Sequence, residues 1–577
     1  MHKTKYTTAR AMMDALQEAG VTYLFANLGS DHSALIESWA VAEQEKRPYP
    51  KIILCPHEMV ALSAAQGYAE ATGQPQAVLV HVDCGTLNLG GAIHNVSKGR
   101  VPVLILSGTS PFTQEGELIG SRNESIHWIQ DVFDQRGSVR EYMKYTNEIR
   151  TGQNVKQMIH RSLQIANSDP KGPVYLMAAR EVLEEEVAPQ TVDVRKWQPI
   201  KPCALAPDDV QDVGQHLLRA KHPLIITSYL GRNSLAVDQL MRLADRLAIP
   251  VLEASPKYMN FPANNPLHVG YVWHQQEQNR LLAEADVVLI VDSDVPWIPL
   301  VNKPAETCKV FYIDIDPLKE KTPLWYIPSY GFFRADSFVA LKQLNEYLDL
   351  HGTEPDQDEI VQRRKRIAQI HTTLRKRWLD KEESHPDQLT AESLTATIRD
   401  VIGEDSIVIN ETVTYFEVVS RHLPRTKPGT IFTSGASSLG WSGGGALGMK
   451  LAHPDKLVVS LVGDGTYMFT QPTSVYWMAK KYNLPFLTVI YNNEGWRGPK
   501  LSTLGVHPHG AARQINRYWN DFSPSANLAD VAKAAGDAYA RVIRHRSELK
   551  DALYEAVERI ESGYSAVLDV RLPRASE

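Results

Sequence analysis

The chain contains 577 residues, of which 43% are hydrophobic and 22% are charged, and its formal net charge is −6. Such a length predicts two to four domains, and such a composition excludes disordered, collagen-like and disulfide-stapled proteins. The small net charge, with no dense basic run outside residues 363–366, argues against nucleic acid and anionic membranes as partners.

The first predicted domain covers residues 1–190, where short apolar runs alternate with helical stretches. The predicted strands are TYLFANLG, KIILCPHE, QAVLVHVDCG, VPVLILSG and GPVYLMA. Uninterrupted apolar runs are typical of parallel sheets that are buried on both faces. Helices between them, such as the small-residue run 61–71, complete a βαβ alternation. We therefore predict a doubly wound α/β domain.

The second predicted domain covers residues 191–370, and a proline-containing linker at 199–207 precedes its first predicted strand. Its predicted strands are HPLIITSYLG, ADVVLIVDSD and KVFYIDIDP, again separated by helices. Gly231 and Asp314 lie at strand ends, where such folds bind ligands. A structural role and a nucleotide site remain equal alternatives for these two residues.

The third predicted domain covers residues 371–577. It follows a charged stretch, 350–390, which indicates a loop and an exposed helix, and we expect the basic run 363–366 to be solvated. The predicted strands are SIVINET, KLVVSLVGDG, LPFLTVIYNN and SAVLDVRL. The fold class is therefore α/β with three doubly wound domains, each a parallel sheet flanked by helices, without an internal repeat at the residue level.

Cysteine usage and apolar runs indicate the compartment. The four cysteines, Cys55, Cys84, Cys203 and Cys308, are far apart and show no metal-binding spacing, so a disulfide framework is not expected. The N-terminal segment has no signal-peptide core, and no apolar run approaches transmembrane length. We expect a cytoplasmic protein without a membrane anchor.

The most informative motif is Gly463-Asp464-Gly465, which ends one apolar strand, together with Asn492-Asn493, which ends the next. Carboxylate and amide oxygens suit a hard divalent ion such as Mg²⁺, and the backbone carbonyl of Gly495 offers another ligand. The glycines allow a sharp turn and a close approach to a diphosphate. Each motif alone is a common turn, but the pair indicates a metal and diphosphate site.

This pair resembles the cofactor motif of the thiamine diphosphate enzymes. The resemblance implies thiamine diphosphate bound by Gly463, Gly465 and Thr466, with Mg²⁺ held by Asp464, Asn493 and Gly495. It also implies a carboxylate in the first domain that drives the aminopyrimidine ring of the cofactor into its imino form. Glu58 fits, because it lies where the strand KIILCP meets a small-residue helix. An ordinary helix-terminal glutamate is the alternative.

Over nearly the whole chain the resemblance is to the branch that includes acetohydroxyacid synthase, benzoylformate decarboxylase, oxalyl-CoA decarboxylase and 2-hydroxyacyl-CoA lyase. It implies pyrimidine-binding, central and diphosphate-binding domains in that order, in a homodimer or homotetramer with active sites at the subunit interface. The implied reaction is decarboxylation or carboligation of a 2-keto acid through an enamine intermediate. A 2-hydroxyacyl-CoA lyase-like enzyme and a catalytically idle nucleotide-binding or assembly subunit are alternatives, and FAD is possible but not indicated.

Three local matches resemble benzoylformate decarboxylase. Ser30, in FANLGS, matches a serine that contacts the substrate carboxylate, and His81 matches an active-site histidine that would shuttle protons. Leu439, in LGW, matches the bulky residue that bends the cofactor. Each residue has an ordinary alternative, since Ser30 is also a possible helix cap, His81 a core residue and Leu439 a packing residue.

Two departures leave the reaction open. The relative carries a second catalytic histidine where this chain has Asn265, and His268 is displaced from that position. Gln130, followed by an aspartate, resembles a pair found in acetohydroxyacid synthase instead. Gln130 and Trp496 are further candidates for substrate contact. Residues 494–522 are either a mobile lid over the site or a plain surface loop.

Overall fold

The computed structural model describes residues 5–273, 277–351 and 357–574. Within these ranges, three six-stranded sheets follow one another along the chain, and all recorded strand pairs are parallel. Helices flank each sheet. The predicted fold class, three doubly wound α/β domains, is confirmed.

The first sheet has the strand order β2-β1-β3-β4-β6-β5. Its strands are β1 (Tyr23–Ala26), β2 (Lys51–Leu54), β3 (Gln76–Val80), β4 (Val103–Thr109), β5 (Tyr145–Ile149) and β6 (Val174–Ala179). Its helices are α1 (Thr8–Glu18), α2 (Ser33–Glu45), α3 (Glu58–Thr72), α4 (Val82–Asn88), α5 (Gly91–Lys98), α6 (Ile126–Ile129), α7 (Val155–Asn167) and α8 (Arg180–Glu184). The chain order reverses between β1 and β3, and such a switch point is where doubly wound sheets bind ligands.

The central sheet has the order β12-β11-β10-β7-β8-β9. Its strands are β7 (Pro223–Thr227), β8 (Val251–Ala254), β9 (His268–Val272), β10 (Val287–Val291), β11 (Lys309–Asp314) and β12 (Gly331–Arg334). Its helices are α9 (Pro207–Arg219), α10 (Ser234–Leu247), α11 (Arg280–Glu284) and α12 (Ser337–His351). The switch point of this sheet lies between β7 and β10.

The third sheet has the order β14-β13-β15-β16-β18-β17, which repeats the topology of the first. Its strands are β13 (Ile407–Glu411), β14 (Ile431–Phe432), β15 (Val458–Gly463), β16 (Leu487–Asn492), β17 (Tyr539–Ile543) and β18 (Ala566–Arg571). The helices from the central domain onward are α13 (Gln357–Glu382), α14 (Ala391–Ile402), α15 (Phe416–His422), α16 (Trp441–Ala452), α17 (Asp464–Phe469), α18 (Pro472–Lys481), α19 (Arg497–Val506), α20 (Ala511–Gln514), α21 (Leu528–Gly536) and α22 (Arg546–Glu561). Its switch point lies between β13 and β15.

Helix α13 forms the connection between the central and third domains. The domain boundary predicted near residue 370 falls inside this helix. The expectation that the basic run 363–366 is solvated is wrong for Arg363, which is buried and donates hydrogen bonds to the carbonyls of Leu247 and Ala220. Arg363 therefore satisfies backbone carbonyls of the central domain. In the described part of the chain, no helix is long and apolar enough to cross a membrane.

One hydrophobic core is shared by the first and third domains, and each of the three domains also has a core of its own. Helices α3 and α16 meet in the shared core through glycines. A Cβ atom added at Gly448 would lie 2.0 Å from the Ala64 carbonyl oxygen, and one added at Gly67 would lie 2.3 Å from that of Gly445. The two helix backbones are therefore in direct contact, and glycine is required at these positions.

This contact predicts that Gly448→Ala destabilises the protein, although alanine is the better helix former. The added methyl group must displace the α3 backbone, which costs about 1–3 kcal/mol. Gly505→Ala is the matched control, because a Cβ atom at this helical glycine meets no atom within 4 Å. Thermal unfolding should give a lower midpoint for Gly448→Ala and an unchanged or higher one for Gly505→Ala. Equal midpoints would contradict the close packing.

Candidate active site

The predicted site residues form two groups, one at the switch point of the first sheet and one at that of the third. We call Ser30, Asp31, Glu58, His81 and Gln130 the first-domain cluster. The cavity beside Asp464 is called the third-domain cavity. Both lie where the carboxyl ends of parallel strands leave backbone and side-chain groups unpaired.

Asp31 occupies the centre of the first-domain cluster. It lies in the single 3₁₀ turn that follows β1 and is only 1% exposed. Its Oδ1 is 2.5 Å from His81 Nδ1, and its Oδ2 accepts a hydrogen bond of 3.2 Å from the backbone N–H of Val82. Burial acts to raise the pKa of Asp31, but His32 and His81 lower it below its ordinary value. Asp31 is therefore an ionised, buried carboxylate.

His81 connects Asp31 to the open side of the cluster. It lies between β3 and α4, and 18% of its side chain is exposed. Its Nε2 is 3.0 Å from Gln130 Oε1. The hydrogen bond with Asp31 raises the pKa of His81 against the effect of burial. His81 is thus not an isolated core residue, because it contacts a carboxylate on one nitrogen and an amide on the other.

Ser30 and Glu58 complete the first-domain cluster. Ser30 Oγ lies 3.2 Å from His127 Nε2, which also accepts a hydrogen bond from Arg180. Glu58 is the first residue of α3, is 8% exposed and accepts a hydrogen bond from the Asn88 side chain. A Cβ atom at Gly85 would lie 3.3 Å from both Glu58 Oε1 and His81 Cβ. The structure thus brings together all four predicted first-domain residues.

The third-domain cavity has a volume of about 260 Å³ and lies over the ends of β15 and β16. Asp464 begins α17, is 4% exposed and accepts a hydrogen bond of 2.9 Å from the Gly495 N–H. Burial raises the pKa of Asp464 to about 6. Every third-domain residue predicted for the site lines this cavity, and these are Leu439, Gly463, Asp464, Gly465, Thr466, Asn493, Gly495 and Trp496.

The oxygen atoms of this cavity suit a hard divalent ion. Asp464 and Asn493 are both buried, and Tyr415 forms a hydrogen bond with Asn493. The backbone N–H groups of Gly465 and Gly495 act to lower the pKa of Asp464 against the effect of burial. In the described ranges, no group of three His, Cys, Asp or Glu side chains forms a complete metal site. The carboxylate of Asp464 and the amide oxygen of Asn493 fit Mg²⁺, which takes few protein ligands and fills its shell with water and phosphate oxygens.

Glu411 is a site residue that the sequence analysis missed. It ends β13, is fully surrounded by protein and accepts hydrogen bonds from the backbone N–H groups of Gly440, Trp441 and Ser442 at 3.0, 3.1 and 2.8 Å. These groups begin α16 directly after Leu439. Glu411 therefore fixes the turn that points Leu439 at the cavity. The sequence feature that could have identified Glu411 is an acidic residue at the end of an apolar strand.

The segment predicted as lid or loop, 494–522, contains α19 and α20. No residue of either helix is buried. Trp496 and Arg497 line the cavity, and the Trp496 ring contacts Phe522 edge-on at 4.9 Å. A Cβ atom at Gly465 would lie 2.2 Å from Trp496 Nε1, so this ring closes over the turn after β15. The lid remains a prediction.

The two departures from the benzoylformate pattern lie outside this cavity. Asn265 accepts a hydrogen bond from the backbone N–H of Leu267 in the turn before β9. His268 is 1% exposed within β9 and packs against Tyr271, with 4.9 Å between the ring centroids. Neither residue lines the third-domain cavity. In this structure both residues contribute to the central domain.

The switch point of the central sheet is filled by side chains. Tyr229 is buried, and its hydroxyl donates to Asp314 at 2.5 Å, while Lys319 pairs with the same carboxylate at 2.7 Å. Arg100, from the first domain, lies 4.8 Å from the Tyr229 ring centroid and pairs with Asp294 at 2.7 Å. A structural role therefore accounts for Asp314, and these side chains occupy the switch point of the central sheet.

Comparison with known proteins gives three matches to one set of family models. The models described as "Thiamine pyrophosphate enzyme" match as the N-terminal TPP binding domain at residues 6–138, the central domain at 210–322 and the C-terminal TPP binding domain at 412–570. Together these segments span more than two thirds of the chain.

Individual relatives are more distant. The chain is 26% identical to acetolactate synthase isozyme 3 large subunit of Escherichia coli, over 90% of this chain and 87% of the relative. It is 24% identical to benzoylformate decarboxylase of Pseudomonas aeruginosa, over 84% and 86%. Among solved structures, 4-hydroxybenzoylformate decarboxylase of Rhodococcus jostii gives a TM-score of 0.78 at 18% identity, covering 99% and 100% of the two chains. Benzoylformate decarboxylase of Polynucleobacter necessarius gives 0.77 at 19%, covering 99% of each.

The burial of His268 predicts a pH-dependent contribution to stability. Burial lowers the pKa of His268 from 6.5 to about 3, so between these values the unfolded chain binds a proton that the folded protein does not. The contribution of neutral His268 to the free energy of unfolding is therefore fully present above about pH 6.5. It decreases as the pH falls, and about 2 kcal/mol of it is lost at pH 5. Thermal unfolding at pH 7.5 and 5.0 should show a smaller loss for His268→Gln than for wild type. His351→Gln, at an exposed position, should match wild type, and a His268→Gln variant that does so too would contradict this account.

Proposed function

The chain belongs to the thiamine pyrophosphate enzyme family, and from this premise we propose that it is a thiamine diphosphate- and Mg²⁺-dependent carbon–carbon lyase or ligase that acts on 2-keto acids. The observation that carries this proposal is the third-domain cavity, which Asp464, Asn493 and Gly495 line together. The two relatives named for keto acid chemistry, acetolactate synthase and benzoylformate decarboxylase, support the same substrate class.

The cavity residues would divide the binding of the cofactor among them. Asp464, Asn493 and the Gly495 carbonyl would hold Mg²⁺, which would offset the negative charge of the diphosphate. The backbone N–H groups of Gly465 and Thr466 would face the diphosphate. Leu439, held by the turn that Glu411 fixes, would support the bent form of the cofactor.

The first-domain cluster would handle protons and the substrate. Thiamine diphosphate, when bound, supplies an electron sink for the bond that breaks next to the carbonyl. The carboxyl group of Glu58 would exchange a proton with the aminopyrimidine ring. Ser30 would orient the substrate carboxylate, His81 would exchange protons with the substrate, and Gln130 would contact the substrate next to His81.

We infer that two chains are needed for one active site. Within one chain, no first-domain residue lines the third-domain cavity. Exposed apolar side chains flank both groups, and such patches mark interaction surfaces. Those beside the first-domain cluster are Phe112, Ile119, Ile129 and Phe133, and those near the cavity are Val506, Ile515 and Trp519. A homodimer or homotetramer that places Glu58 of one subunit over the cavity of another accounts for both observations.

The cofactor dependence predicts activity on a panel of aliphatic and aromatic 2-keto acids. Turnover should require both thiamine diphosphate and Mg²⁺, because Asp464 and Asn493 bind the diphosphate only through the metal. Glu58→Gln should lower kcat by about 10²–10⁴-fold, since it removes the acid-base group but keeps its size. Carbon dioxide and all carbonyl products should be followed, because an aldehyde indicates decarboxylation and a 2-hydroxyketone product indicates carboligation.

Glu37→Gln is a suitable control, because Glu37 lies on the outer face of α2 and is exposed. Cofactor binding without turnover of any keto acid would contradict the proposed substrate class. Cleavage of a 2-hydroxyacyl-CoA under those conditions would establish the lyase alternative. Failure to bind thiamine diphosphate would instead favour an idle assembly subunit.

The shared site predicts complementation between two inactive variants. A hybrid dimer of Glu58→Gln and Asp464→Ala chains contains one intact site and one doubly defective site if Glu58 acts across the interface. Differently tagged chains should be co-expressed and the hybrid purified through both tags. Recovery of about half of wild-type activity is expected, because every active-site group then contributes at one of two sites. An inactive hybrid would indicate that Glu58 acts within its own chain.

A further inference from the structure

The carboxylate of Asp31 has no role in the proposed reaction, yet it is the most enclosed group of the first-domain cluster. A Cβ atom at Gly108 would lie 1.6 Å from Asp31 Oδ2, and one at Gly29 would lie 2.1 Å from His81 Nδ1. Two glycines therefore make room for the Asp31–His81 pair on opposite sides. Burying an ionised carboxylate is costly, so its partners must be charged or well hydrogen bonded.

The hydrogen bonds around Asp31 define where the imidazole protons lie. The Gly29 N–H donates to His32 Nδ1 at 3.0 Å, which leaves the proton of neutral His32 on Nε2. That nitrogen lies 3.2 Å from Asp31 Oδ2 but forms no hydrogen bond with it. Burial lowers the pKa of His32, so this ring is neutral. The other oxygen of Asp31 faces His81 Nδ1 at 2.5 Å. An ionised carboxylate only accepts hydrogen bonds, so His81 carries a proton on Nδ1.

We propose that Asp31 is a positioning residue that holds the proton of His81 on Nδ1 and thereby makes Nε2 the nitrogen that exchanges protons at the active site. Nε2 faces Gln130, at the open side of the first-domain cluster, whereas Nδ1 faces the protein interior. The identity of the group that exchanges a proton with His81 rests on the proposed function. The position of the proton on Nδ1 does not.

This arrangement balances protons and charge through a catalytic cycle. Neutral His81 accepts a proton on the Nε2 lone pair, and the resulting imidazolium keeps Nδ1–H on Asp31, which stays ionised. Gln130 tolerates both states, because its amide can turn either its oxygen or its NH₂ group toward Nε2. The charged groups that face His81 are Asp31, with His32 behind it, and Glu58 on α3. Both carboxylates favour the imidazolium.

The first test reads the tautomer of His81 in the wild-type protein. The protein is labelled with ¹³C and ¹⁵N histidine, saturated with thiamine diphosphate and Mg²⁺, and His81 is assigned by its absence in His81→Gln. Above the pH at which His81 titrates, its ring should carry the proton on Nδ1, as shown by the ¹⁵N shifts. A proton on Nε2 in that state would overturn the proposal, whether or not any keto acid is turned over.

The second test changes the carboxylate. Asp31→Asn keeps the size and removes the charge, so the titration midpoint of His81 should move to lower pH and kcat should fall by about 10–100-fold, as for partners that orient a metal-bound histidine. KM should change little. Asp83→Asn is the matched control, because Asp83 lies on the same turn as His81 and is not among the charged groups that shift His81.

A double-variant comparison separates positioning from a merely structural role. In the His81→Gln background, Asp31→Asn should cause no further loss of kcat, because Asp31 acts through His81. An additional loss of the same size, or an unchanged His81 titration in Asp31→Asn, would contradict the proposal. If Asp31→Asn does not fold, the tautomer of His81 measured in the wild-type protein still tests the proposal. If no activity is found for any substrate, the proposed function fails, while the tautomer and titration results stand on their own.

Discussion

The direct contact between α3 and α16 fixes the positions of both halves of the candidate site. Each helix begins at a site residue, since α3 starts with Glu58 and α16 follows Leu439. Glycines at the crossing bring the two backbones together, so neither helix can slide without losing contacts along its length. The contact continues to the helix starts, where a Cβ atom at Gly440 would lie 2.6 Å from the Met59 side chain. Stability and site geometry therefore depend on the same interface.

Buried carboxylates at strand ends differ in the groups that offset the cost of burying their charge. This difference distinguishes carboxylates with a structural role from those proposed to bind a ligand. Asp314 in the central domain has a lysine and a tyrosine hydroxyl as partners and is fully satisfied by its own domain. Glu411 accepts three backbone N–H groups and supports a turn. Asp464 is buried and accepts a hydrogen bond from the Gly495 backbone N–H, and under the proposed function its carboxylate holds a metal ion. The switch point of the central sheet is thus filled by packed side chains, whereas that of the third sheet holds the proposed ligand site.

The first and third domains share a topology but carry complementary chemistry. In the first domain, the switch point presents an ionised pair, Asp31 and His81, beside Glu58. In the third, it presents the buried side chains of Asp464 and Asn493 beside a cavity. No first-domain residue lines that cavity within one chain, so the proposed function combines the two sets of groups across a subunit interface. Exposed apolar side chains in both domains offer a surface for the proposed association.

The sequence by itself determined the three parallel sheets and the residues around the third-domain cavity, because buried strands and short motifs are local patterns. Short or half-buried edge strands such as β12 and β17 escaped prediction, since they lack a continuous apolar run. Tertiary structure alone decided that Asp31 pairs with His81 and that Glu411 holds the turn before α16. Residues far apart in the chain make these contacts, so no local pattern encodes them, and only the packing of separate elements brings the charges together.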